Sequence, residues 1–269
     1  VPTTIKPIFL LADSQLLFWR DEEGKHFLDR ARALIEADEP GRAPKAAYLG
    51  ASNGDAPEFY DLFVGAMGEI DIRDCRHIPA RPSPEDLAFL DQADLILLSG
   101  GDVRVGWRAF EDNGIKERLV ARYYGGALLM GVSAGAVQLG LMGSDEDGSG
   151  SFDTLRLVPF VVDVHDEPAW QRLLRLLPKA GEHARGFGIP SGAGVLYHPD
   201  YSVEPIRHPL TEVELGESGP RQALVFPGET VEGPEGEGPG PVTMTQEEIL
   251  ENVLRDLDPG EPGPDDPVN

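Results

Sequence analysis

Residues 131–135 read Gly131-Val132-Ser133-Ala134-Gly135, a G-x-S-x-G pattern that follows the apolar run 127–130. A strand, a sharp turn carrying a serine and then a helix is the context of a nucleophile elbow, whose chemistry is attack of a serine hydroxyl on an acyl carbon. The serine of such an elbow sits on a strained turn, so its neighbours must be small, and here they are Gly131, Ala134, Gly135 and Ala136. A serine nucleophile needs a base. His165 lies just past a predicted strand, downstream of the serine, where the crevice at the carboxyl ends of a parallel sheet should be. His26, His77, His183, His198 and His208 fall in helices, early strands or late loops. The base in turn needs a carboxylate to fix its tautomer and stabilise the imidazolium. Asp145, Glu146 and Asp147 follow the elbow helix, and Asp153 and Asp163 lie further on. Oxyanion donors are available in the backbone N–H of Ala134, directly after the serine, and in that of Gly101 within the turn Gly100-Gly101-Asp102. Taken singly, each feature has a plain structural explanation: an inert serine in a tight turn, a surface histidine, a solvated acidic loop.

Apolar runs at 7–11, 45–49, 94–99 and 127–130, with a more charged one at 73–78, predict strands. Helical spacing is present at 21–37, 59–67, 83–90, 106–124 (broken near Asn113-Gly114) and 168–177. Ser83-Pro84-Glu85-Asp86 has the form of an N-cap with proline at the first helical position. Strands alternating with helices imply a doubly wound, mostly parallel sheet with helices on both faces. Ligands of such sheets bind beyond the strands' carboxyl ends. The turns at Gly100-Gly101 and at 131–135 face one crevice if their strands are neighbours. Residues 140–150 read as a loop, 158–164 as a strand, 185–189 and 194–197 as a β-hairpin across Pro190-Ser191-Gly192, and 222–226 as a late strand. The expected organisation is one α/β domain over 1–228, a Pro/Gly/Glu-rich linker over 229–244, a helix over 245–257 opened by a capping box, and an acidic tail over 258–269 that has little to bury.

The 269 residues carry 47 Asp and Glu against 23 Lys and Arg, a formal net charge of -24. That balance argues against nucleic acid and anionic membrane surfaces as partners. Much of the excess lies beyond residue 228, where Arg255 is the one basic residue. The single cysteine, Cys75, excludes an intramolecular disulfide and a cysteine-rich zinc site. No apolar run approaches a membrane span and no signal-peptide pattern opens the chain, so a cytoplasmic location is expected.

Together, Leu98-Ser99-Gly100-Gly101-Asp102, the strand and elbow over 126–136, and Val162-Asp163-Val164-His165 resemble the serine peptidases of family S51, which includes aspartyl dipeptidase E and cyanophycinase. The resemblance runs from about residue 45 to 197. It implies a fold like that of class I glutamine amidotransferases, with serine in place of the elbow cysteine, and hydrolysis of aspartyl-type peptide bonds. Ser133 matches the nucleophile, His165 the base, and Gly101 and Ala134 the oxyanion donors. Three positions depart from cyanophycinases. Val103 stands in place of a glutamine after Gly-Gly-Asp, Ser191 in place of the triad glutamate, and Asp166 in place of a phenylalanine after the histidine. Aspartyl dipeptidases take an aspartate from the loop between serine and histidine, and Asp147 lies nearest that place. The expected activity is thus a Ser-His-acid hydrolase of Ser133, His165 and Asp147 acting on small peptides, with no metal or organic cofactor. Asp102 and Arg104 are its candidate substrate-binding residues, with Arg108 nearby as a second anchor for a carboxylate. Its oligomeric state, a homodimer included, is open. The alternatives are a non-catalytic binding protein on the same fold and a serine amidase or esterase acting on a non-peptide substrate.

Overall fold

A computed structural model describes residues 4–36, 41–216 and 219–233. Its centre is an eight-stranded sheet. Strands β1 (Ile8–Leu11), β2 (Lys45–Leu49), β3 (Asp74–Ile78), β4 (Leu95–Leu98) and β5 (Leu128–Val132) run parallel within it. β1, β4 and β5 are buried along their whole length, as strands covered on both faces must be. Alternate side chains enter two cores: Ile8 and Leu10 on one face, Phe9 and Leu11 on the other. β3 is the edge strand, which explains why it alone tolerates Asp74, Arg76 and His77.

The parallel connections are helical. After the short 3₁₀ turn Ser14–Phe18 come α1 (Asp29–Glu36), α2 (Pro57–Glu69) and α3 (Pro84–Leu90), the last opened by the Ser83 capping box that the sequence predicts. α4 (Val103–Asp112) and α5 (Ile115–Tyr124) are separated at Gly114, whose φ of 62° breaks the helix there. α6 (Ala134–Leu139) follows the elbow.

Beyond α6 the chain leaves the main sheet. β6 (Met142–Ser144), within the stretch expected to be a loop, pairs with β7 (Ser151–Asp153), just after it, in a two-stranded ribbon. β8 (Val161–Val164), α7 (Gln171–Ala180) and β9 (Arg185–Ile189) follow, then β10 (Gly194–Tyr197), β11 (Ser202–Ile206), β12 (Leu210–Gly216), β13 (Gly219–Val225) and β14 (Val231–Glu232). The main sheet has the order β14-β11-β10-β1-β5-β4-β2-β3, and a second sheet the order β13-β12-β9-β8.

The expected hairpin of β9 with β10 is therefore corrected. β9 pairs with β8 and β12, and β10 pairs with β1 and β11, so residues 190–193 carry the chain from one sheet to the other. The first helix also begins later than its periodicity suggests. Residues 20–26 form a tight loop closed by an Arg20–His26 bridge, in which the Asp21 carboxylate accepts the backbone N–H groups of Glu23 and Lys25. The main sheet extends past residue 228, because Val231 pairs with Val203. The rest of the expected linker, the helix over 245–257 and the tail lie outside the described residues. Among the described residues no helix is long and apolar enough to cross a membrane.

Candidate active site

β4 and β5 are neighbours, with Leu98 opposite Gly131, so their two glycine turns open onto one crevice. Ser133 follows β5 at φ 50° and ψ -108°, a conformation that side chains rarely adopt, and its N–H donates to the Leu11 carbonyl at 2.8 Å. The turn is tight enough to dictate its neighbours. A Cβ on Gly131 would stand 2.5 Å from the Ala136 nitrogen, and one on Gly135 would stand 2.2 Å from the Leu98 carbonyl oxygen. Ala134 begins α6, with its backbone directly after the serine. The Gly100-Gly101 turn approaches from β4: a Cβ on Gly100 would touch the Ser133 Cβ at 3.3 Å. Gly101 itself has φ +126° and no room for a side chain against Ser52. Asp102 ends the turn as N-cap of α4, its Oδ1 accepting the Val105 N–H at 2.8 Å.

His165 arrives from the second sheet. Its backbone N–H donates to the Ile189 carbonyl, it has φ 61°, and it borders the same two cavities as Ser133. The first cavity, about 390 Å³, is lined by Gly101, Asp102, Ser133 and Ala134 on one side and by Ser144, Asp145, Glu146, Asp163, His165 and Arg172 on the other. Five residues singled out from sequence for nucleophile, base, oxyanion and substrate roles thus meet in one place: Ser133, His165, Gly101, Ala134 and Asp102.

The acid is where structure and expectation part. Asp147 does not reach the cavity. It is fully exposed, its Oδ1 accepts the Ser149 N–H at 2.9 Å, and the Ser149 hydrogen bonds hold its carboxyl below the usual carboxylate range. Asp145 lines the cavity with its carboxylate on the Arg104 Nε at 2.6 Å, and Asp153 faces solvent beside Arg156. Asp163 lines the cavity but is buried, and its carboxylate is taken up by Val164 and by α7. It accepts from the Val164 N–H at 2.9 Å, from the Arg172 Nε at 3.0 Å and from the Leu173 N–H at 3.3 Å. Burial pushes its carboxyl up, and Arg172 only partly opposes this.

The group facing His165 Nδ1, at 3.1 Å, is instead the Ser191 hydroxyl. The Ser191 N–H donates to Glu167 Oε1 at 3.2 Å. Burial pushes the Glu167 carboxyl up, but its own backbone N–H, both Ser191 groups and the nearby His165 outweigh it and hold the carboxyl below its ordinary value. Glu167 was not a candidate from sequence, although it stands only two residues after the histidine. Arg172, the cation lining the cavity, was missed as well. Arg104 turns to Asp145 and stacks its guanidinium over the Phe152 ring, 3.6 Å from the centroid, while Arg108 is exposed on α4.

The sequence profile of peptidase family S51 matches residues 9–200, from β1 to just past β10. No curated protein matches the sequence. Among solved structures, a peptidase from an acI-B1 Actinobacterium aligns with a TM-score of 0.64 at 14% identity, covering 86% of this chain and 98% of that one. A putative peptidase E protein from Listeria monocytogenes EGD-e aligns with a TM-score of 0.48 at 15% identity, covering 82% of this chain and all of its own. The mixed α/β architecture, with its mostly parallel central sheet, is of the class I glutamine amidotransferase type. With most of its length matched by the profile, the chain belongs to peptidase family S51.

Proposed function

We propose that the chain is a serine peptidase in which Ser133 is the nucleophile and His165 the general base. The observation that carries this reading is the convergence of the strained Ser133, the Gly100-Gly101 turn and His165 on one cavity. In the reaction the Ser133 Oγ bonds to the scissile carbonyl carbon as its proton passes to His165 Nε2. The oxyanion is held by the N–H groups of Gly101 and Ala134. The C–N bond then breaks, the leaving amine takes the proton from His165, and water, activated by the same histidine, hydrolyses the acyl-enzyme.

The charge that supports the imidazolium comes from Glu167 rather than Asp147. With Nδ1–H donating to the Ser191 hydroxyl, and Glu167 held close by on the Ser191 backbone N–H, Nε2 is left free to accept from Ser133. The preferred substrates are short aspartyl-type peptides, a specificity supported by family membership. Arg172 is the cation of the cavity, sharing its guanidinium with Asp163.

The test is labelling of the intact protein by a fluorophosphonate, read by mass. One adduct, lost in Ser133→Ala along with about 10⁴-fold or more of kcat in a well-folded protein, is expected. Equal labelling of Ser133→Ala overturns the reading. Glu167→Gln should lower kcat by about 10²-fold, less than the roughly 10⁴ seen when a carboxylate touching the histidine is neutralised, and Asp147→Asn should leave it within about twofold of the parent.

A further inference from the structure

Ser133 and His165 border a second cavity, of about 300 Å³, whose chemistry is opposite to that of the first. It lies between the 3₁₀ turn Ser14–Phe18, the amino-terminal half of α2 and the ends of β4 and β5. Its walls are Leu17, Phe59, Leu62, Phe63, Leu97 and Val132. No lysine or arginine is among its described lining residues. Its one carboxylate, Asp13, is already engaged, accepting the Gln15 N–H at 2.9 Å and the Gly192 N–H at 2.6 Å. An acidic side chain placed here would find no lysine or arginine to pair with and would lose its hydration.

The rim is as telling as the walls. Phe59 and Leu62 are three residues apart on α2, both line the cavity, and each is 44% exposed. Single exposed apolar residues are ordinary, but large ones gathered around a cavity that opens on a nucleophile mark a surface awaiting a ligand. The rings of Tyr48, Phe59 and Phe63 also line it, and aromatic groups pair well with one another edge to face. The volume falls at the lower end of the range of small-ligand pockets. Ser99 adds a polar spot: its hydroxyl is buried and near that of Tyr48 without meeting it in hydrogen-bond geometry.

We infer that this cavity is a specificity pocket for an aromatic side chain on one of the two residues flanking the scissile bond. The substrates are then peptides that set a polar residue in the first cavity and an aromatic one in the second. The inference rests on Ser133 being the nucleophile.

Two sulfonyl fluorides of different size test it, phenylmethanesulfonyl fluoride against methanesulfonyl fluoride. With either, the Ser133 Oγ–S bond forms, the S–F bond breaks, fluoride leaves and the hydroxyl proton passes to His165. Rates of adduct formation are read by intact mass and corrected for each reagent's own hydrolysis. The benzyl reagent should react about 10- to 50-fold faster, the range expected for burying a phenyl ring in place of a methyl group. Leu62→Asp should bring the ratio close to one, and Leu224→Asp, at an exposed leucine on β13 away from the cavity, should leave it as in the parent. A ratio near one in the parent, or a ratio untouched by Leu62→Asp, overturns the pocket while fluorophosphonate labelling of Ser133 still stands. Sulfonyl fluorides that fail to react where a fluorophosphonate succeeds overturn it too. Failure of all three reagents removes the serine nucleophile and this inference with it.

Discussion

Asp163 separates a catalytic acid from a structural one, and substitution there has a worked outcome. The carboxylate sits on β8, 2% exposed, and accepts three hydrogen bonds: two from the backbone N–H groups of Val164 and Leu173, and one from Arg172. Its pKa is raised, by burial first of all. The folded protein therefore binds this proton more tightly than the unfolded chain does. The stability contributed by the group is fully present below its unfolded value of about 3.9 and is lost as pH rises through the raised folded value. At neutral pH the buried charge is a net cost. Asp163→Asn removes that cost and keeps one carbonyl oxygen for Val164 and Arg172, while the Leu173 N–H loses its acceptor at about 1–3 kcal/mol. These terms oppose each other, and the net change should lie within about 1.5 kcal/mol of zero. Asp163→Ala strands both N–H groups and Arg172, and should cost about 3–5 kcal/mol. For a chain of this size that is a fall in Tm of about 6–20 °C. Calorimetry from pH 7 down to pH 4 should show the parent gaining on the Asn variant as pH falls, because only the parent can take up the proton. The Asn variant should keep kcat within about fivefold, since the carboxylate's hydrogen bonds go to Val164, Arg172 and Leu173 and none to His165. A loss of about 10⁴-fold in a well-folded Asn variant would make Asp163 the triad acid and refute the assignment to Glu167. An Asn variant as unstable as the Ala variant would refute the argument from charge burial.

Two further outcomes follow from the geometry. Gly135→Ala forces a methyl group to 2.2 Å from the Leu98 carbonyl oxygen, backbone against backbone with no flexible side chain to yield. Overpacking of this kind costs about 3 kcal/mol, so differential scanning fluorimetry should show Tm lower by about 6–12 °C, and a shift under 2 °C would mean that α6 can move off β4. Glu204 is held down to about 2 by His198 and Arg30. Its contribution is present above the unfolded value of about 4.3 and is lost as pH falls through about 2. With solvent screening it amounts to roughly 1 kcal/mol. Glu204→Gln should lower Tm at pH 7 by a few degrees, with the gap narrowing from pH 5 to pH 3; a gap that widens on acidification contradicts the ion-pair account.

The parallel half of the main sheet was legible because its strands are bounded apolar runs and α3 opens on its own capping box, signals contained within ten residues. The antiparallel half was not. Residues 185–197 look alike whether the chain folds back on itself or crosses to another sheet, since Pro190 and Gly192 make a turn in either case and only distant partners choose between them. β9 takes β12 as its neighbour, and β12 carries Glu212 and Glu214 on its less buried positions, so its pattern does not advertise a strand. β11 contains Pro205, which argues against a strand by composition, yet its register opposite Val195 in the main sheet accommodates the missing donor. The ribbon β6–β7 is three residues on each side, too short for any periodicity.

The site shows the same division at finer scale. An elbow is legible because its constraint is steric and local: the residues touching Ser133 are its own neighbours in the chain, and they must be small. An acid is constrained only to put charge near one nitrogen of the base, a demand with no local signature. The loop after the elbow helix offers three acidic side chains, and the structure occupies two of them elsewhere, Asp145 with Arg104 and Asp147 with Ser149. The resemblance to cyanophycinases placed a serine where a glutamate would complete the triad, which by itself looks like a loss of function. Yet Ser191 lies between His165 and Glu167, its hydroxyl on one and its N–H on the other. A hydroxyl carries no charge, but it both accepts and donates, so it can hold the histidine's tautomer while a carboxylate one group further out supplies the field. That arrangement keeps orientation, which is a matter of hydrogen-bond geometry, and gives up part of the electrostatic stabilisation, which falls with distance. On the proposed mechanism Glu167 and Ser191 divide between them the task of a single triad acid, and Ser191→Ala, which breaks the orienting bond, should cost kcat at least as much as Glu167→Gln, which removes the charge and leaves that bond in place.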